Sequence, residues 1–137
     1  VVDKFGNTLS DTSAPTGSNS LAGSKAIVID NIPIVGNTTV PGSAVTQNDG
    51  NTTFDAGDAV ALTFSETVAN KTALSTQIGA IAALGTGAAA VWTDSDKTVT
   101  ITTGSDATIA QGDTIALTGV LDEAGNSNDI TFTLDLT

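Results

Sequence analysis

The 137-residue chain has no cysteine and no histidine, and only four lysines and arginines stand against fifteen aspartates and glutamates. Each shortage removes a class of chemistry. Without cysteine there are no disulfides and no thiolate metal sites. Without histidine, the commonest acid–base group and the commonest transition-metal ligand are gone. The net charge of −11 comes from missing cations rather than from excess acid. A chain so poor in basic residues has no patch to hold nucleic-acid phosphates, so nucleic acid is not an expected partner. No apolar run approaches the roughly 20 residues that a membrane helix needs, so no membrane span is expected. Methionine is missing too, and the chain opens on Val1 with no charged-then-apolar leader. That opening reads as a mature product.

What remains for catalysis is carboxylates. Asp94 and Asp96 fall in the hairpin sequence TDSDK, where Asp is simply a good turn residue. Nothing suggests two carboxylates facing across a cleft. The reading is therefore not an enzyme. Carboxylate and amide oxygens do suit a hard cation, and Ca2+ is the expected one.

Two regions differ in composition. Residues 1–24 are rich in Ser, Thr, Gly, Asn and Asp and read as an extended tail or linker. Residues 25–137 carry strand patterns. AIVIDNIPIV is a β-branched run that Pro33 breaks, as suits an edge strand. Residues 36–57 read as a long loop with one short strand. Val60, Leu62 and Phe64 then alternate with Ala and Thr, as do Val99 with Ile101, and Ile130, Phe132, Leu134 and Leu136. Ile115, Leu117 and Leu121 are expected on one face with Gly119. Period-two alternation puts one face in a core and the other in water. GDAVALT at 57–63 is echoed by GDTIALT at 112–118, and in each Asp58 or Asp113 is expected to accept local backbone hydrogen bonds. One stretch breaks the pattern. From Asn70, a candidate N-cap, Leu74, Ile78, Ile81 and Leu84 fall near helical spacing. A short helix or crossover over residues 70–84 is expected, packed on the sheet edge. Trp92 reads as a core plug, one of only five aromatics.

Several short antiparallel strands with turns between them imply an all-β, Ig-like antiparallel β-sandwich over residues 25–137. The ordered set FSETV (64–68), WTDSDKTVT (92–100) and DEAGN (122–126) resembles that of bacterial Ig-like domains from surface-layer proteins and large adhesins. The resemblance implies an extracellular or cell-surface protein. Two roles fit: a structural subunit of a filament, tubule or surface layer that assembles with itself, or a spacer or binding module of a tandem-repeat adhesin.

In an Ig topology the end of the second strand and the turn between the last two strands share one pole. That would place Glu66 near Asp122, Asn126 and Asp129, with Asp30 approaching from the first strand, as oxygen ligands for calcium. The plainer alternative is that Asp122 and Asn126 only build the turn, with Asn126 left-handed.

The first seven residues, VVDKFGN, echo VLDEAGN at 120–126. This echo has two readings. It is the tail of a preceding repeat, or it is a strand donated to a neighbouring subunit. In the second case Val1, Phe5 and Leu9 share one face of an extended segment.

Overall fold

The structure, a computed structural model, describes residues 29–50 and 53–136. The chain divides into two compact units, Val1–Asp30 and Asn31–Thr137. Of the first, only Ile29 and Asp30 are described, and both are exposed. The expectations placed on residues 1–24, including the face of Val1, Phe5 and Leu9, lie outside the described residues.

The second unit is an all-β sandwich of two sheets with one short helix. Its strands are β1 (Thr39–Pro41), β2 (Val45–Thr46), β3 (Ala59–Thr63), β4 (Ala89–Thr93), β5 (Thr98–Thr102), β6 (Thr114–Leu121) and β7 (Ser127–Asp135). One sheet has the order β1-β7-β6 and the other β2-β3-β5-β4. The alternating residues meet between the sheets: Val60, Leu62, Val99 and Ile101 from one, and Ile115, Leu117, Phe132 and Leu134 from the other, are all buried. Each such side chain contributes roughly 1.5–3 kcal/mol on burial. Phe64 joins the sheets, edge-on to Phe132 at 5.5 Å and stacked with Trp92 at 5.7 Å. Trp92 is half-buried, and its Nε1–H donates to Ser75 Oγ at 2.9 Å.

The helix α1 runs over Lys71–Gly79 and is followed by a 3-10 turn at Ala82–Leu84. Nine residues are too few for a helix to persist alone in water. Buried Leu74 and Ile78 anchor it, and it packs against β4 and β6, the outer strands of the two sheets. Asn70 makes no side-chain cap. Its carboxamide turns instead to β6, where Nδ2 donates to the Gly119 carbonyl at 2.8 Å and Oδ1 accepts the Leu121 N–H at 3.0 Å.

Three further points depart from the sequence reading. Residues 29–35 form no strand: Val35 exchanges hydrogen bonds with Ser65, the Ile34 carbonyl accepts from Asn128 Nδ2, and an isolated bridge follows from Gly36 to Phe64. Pro33 lacks the N–H that a ladder needs. Residues 36–57 hold two short strands rather than one, because the chain crosses from one sheet to the other. β1 runs parallel to β7, pairing Thr39 with Thr133, and after a 3-10 turn β2 pairs antiparallel with β3. Finally, β6 bulges between Leu117 and Val120. The extra residue shifts the pleat, so Val120 rather than Leu121 is fully buried. Gly119 takes φ 63° at the bulge, where a left-handed residue is needed.

The paired Gly-Asp echoes fold alike. Asp58 Oδ2 accepts the Asp55 N–H at 2.9 Å, and Asp113 Oδ2 accepts the Ala110 N–H at 2.8 Å. In both, the Asp N–H donates back to the carbonyl three residues earlier. Asp58 is fully buried, and its second oxygen accepts the Asn48 N–H at 2.8 Å.

Candidate functional site

The ends of β3 and β6 lie at one pole of the sandwich. β3 leads through Phe64 and Ser65 to Glu66, and β6 leads to Asp122, which opens the turn into β7. A carboxylate oxygen of Glu66 and one of Asp122 lie within 4.8 Å of each other. Glu66 is half-buried, and Asp122 is 1% exposed.

Asp122 and Asn126 are bonded several ways. The Asn126 N–H donates to Asp122 Oδ1 and its Nδ2 to Oδ2, both at 2.8 Å. The Asp122 N–H donates to the Asn126 carbonyl at 3.1 Å. Gly125, at φ 91°, is the left-handed residue of this turn, and Asn126 is not. Glycine takes that conformation without the Cβ clash that asparagine would suffer. Burial opposes ionisation of Asp122. Hydrogen bonds from the Asn126 side chain and from the backbone N–H groups of Asn126, Gly125 and Ala124 outweigh it and hold the carboxyl below its usual range.

The other expected ligands are placed as follows. Asp129 Oδ1 accepts the Gly119 N–H at 2.7 Å, so this side chain pins the β6 bulge. Asp30 is the last residue of the first unit and is exposed. In kind, the Glu66, Asp122 and Asn126 oxygens fit a hard cation, which takes six to eight such atoms. The Asp122 oxygens already accept from the Asn126 side chain and from the backbone N–H groups of Asn126, Gly125 and Ala124, so a cation would have to compete with these donors. The same bonds also account for Asp122 as a turn-builder.

Sequence reasoning missed the edge-blocking role of Asn70 and its neighbour Gln77. The Gln77 carboxamide meets both backbone groups of Thr118 on β6. An amide on a short amphipathic stretch carries no local signal of a strand edge beside it. The Lys71–Asp96 ion pair, which ties α1 to the β4–β5 turn, was equally invisible.

The class that these features define is a two-sheet all-β sandwich with one short helix, and it is not a closed barrel. Compared with family models, curated proteins and solved structures, the chain matches none.

Proposed function

We propose that this chain is a structural subunit of an extracellular assembly, a filament, tubule or surface layer. In this reading its copies are joined by a strand from the first 24 residues added to a neighbour, and calcium held by Glu66 and Asp122 steadies the fold. The observation that carries it is the echo between VVDKFGN and VLDEAGN. In the second copy of the motif, Val120 and Leu121 are the end of a strand, paired with Asn128 and Ser127. The first residues of the chain therefore have the sequence of a segment that, in this fold, ends a strand at Val120 and Leu121 and turns over Asp122–Asn126. The bacterial Ig-like resemblance points the same way, toward modules used in surface assembly.

The echo also favours a second reading, a spacer or binding module of a tandem-repeat adhesin. Val1 and Val120 begin the two copies, and that offset suits one domain plus a linker.

One experiment separates the two. The full chain and a variant lacking residues 1–20 are imaged by negative-stain electron microscopy, each with Ca2+ and with chelator. A subunit polymerises alone and loses that ability with the deletion, whereas a spacer stays monomeric throughout. For the metal, melting is compared with Ca2+ and with chelator. A ligand bound only by the native state adds about 2.7 kcal/mol at a hundredfold excess over its Kd. An unchanged melt removes calcium from the proposal and leaves the strand intact.

A further inference from the structure

We infer that the outer edge of β7, around Asp129 and Thr131, receives the segment Val1–Asn7 of a second copy. This rests on the subunit reading above and names the surface that reading requires.

β7 is the central strand of its sheet and has nine residues, but β1 covers only Thr133 to Asp135. Alternation decides which backbone groups face the uncovered stretch. The Leu134 N–H donates to the Asp113 carbonyl, on the β6 side. The Thr133 N–H donates to the Thr38 carbonyl, on the β1 side. Odd-numbered residues of β7 thus turn their N–H and C=O toward β1, and those of Thr131 and Asp129 meet no strand among the described residues. Gly36 lies close to the Ile130 and Phe132 side chains, but its own bridge goes to Phe64 in the other sheet.

The opposite edge of the same sheet is treated differently. There the Gln77 carboxamide occupies the N–H and C=O of Thr118, and Asn70 occupies Gly119 and Leu121. Exposed strand edges template pairing with other chains, and native folds blunt them. Here the fold blunts the last residues of β6, Thr118–Leu121, with Gln77 of α1 and Asn70 just before it, and the first half of β7 has no such cover among the described residues.

Two observations name the occupant. The uncovered stretch, Ser127 to Phe132, is about 20 Å long at the rise of a strand. Val1–Asn7 matches that length when extended, and the first two residues of its twin, Val120 and Leu121, already pair with β7 from the other side, the other five forming the turn. Charge points to the same end of the chain. Residues 1–28 hold Asp3, Asp11, Lys4 and Lys25 and are neutral, so the whole −11 sits on residues 29–137, thirteen acids against two lysines. Two such sandwiches repel each other, and the neutral segment is the part of a second copy that they do not repel. A strand added to an edge contributes main-chain hydrogen bonds regardless of charge. Such a contact joins unlike surfaces and builds open chains of subunits.

The test uses the full chain with Thr131→Pro. Proline there removes only the outward N–H and no β6–β7 bond. The expected result is a folded protein, by melting and Trp92 fluorescence, with polymers lost. In the wild-type chain, amide hydrogen exchange at Thr131 is expected to slow at least tenfold on assembly, while Thr118 does not change. If removing residues 1–20 abolishes polymers while Thr131→Pro still forms them, the acceptor edge is wrong and the subunit reading stands. If that deletion leaves polymers intact, both fall. If Thr131→Pro does not fold, the wild-type exchange decides, and a Thr131 amide that stays fast in polymers overturns the inference.

Discussion

Gln77 behaves toward Thr118 as a neighbouring strand would: its Oε1 accepts the Thr118 N–H at 3.0 Å and its Nε2 donates to the Thr118 carbonyl at 2.9 Å. One side chain thereby satisfies both edge-facing groups of a residue at the β6 bulge. Both bonds are exposed to water, so their net contribution is modest. Gln77→Ala is expected to cost about 1 kcal/mol. Urea unfolding followed by Trp92 fluorescence measures this, and a loss above about 3 kcal/mol would mean that the helix itself detaches.

The buried Asp122 sets a pH dependence. Its carboxyl is held below the ordinary value of 3.8, so the folded state favours the ionised form. The stability it contributes is fully present above the unfolded value and is lost as pH falls through the lower, folded value. Asp122→Asn is therefore expected to melt below wild type at neutral pH, with the gap closing only below about pH 4. A gap that stays constant down to pH 2 would show that the charge of Asp122 plays no part.

The β4–β5 turn holds three consecutive residues in the left-handed region, Asp94 at φ 53°, Ser95 at φ 52° and Asp96 at φ 62°. Aspartate tolerates this conformation, and serine less so. Ser95→Gly removes the Cβ conflict, and the Ser95 carbonyl that accepts from Thr67 Oγ1 is kept. The expected gain is about 1 kcal/mol, seen as a rise of a few degrees in Tm. A lower Tm would indicate that the Ser95 side chain has a role of its own.

The strand cores were legible because a half-buried strand writes its two faces into the sequence, as Val60, Leu62, Val99 and Ile101 do. Leu74 and Ile78 marked the helix by the same logic at a different period. Long-range pairing was not legible. Nothing near Thr39 announces a parallel partner at Thr133, and three residues are too few to show a period. The bulge at Gly119 was hidden because a glycine in an alternating run reads equally as a small strand residue, so Leu121 was assigned the face that Val120 takes. At the pole, Glu66 and Asp122 were named together from topology, and the structure sets them within 4.8 Å. Asp129 was named with them, but its carboxylate is committed to Gly119, a contact that exists only once β6 has bulged.

The pairing of Thr39 with Thr133 also sets an order of events during synthesis. β7 is the centre of its sheet, so β1 and β6 have no partner in that sheet until it arrives. A nascent chain emerging from the ribosome completes β2, β3, β4 and β5 first and carries β1 and β6 as unpaired ribbons. The emergence of β7 therefore closes the whole sheet at once, and a chain that stops before Ser127 forfeits three strands rather than one.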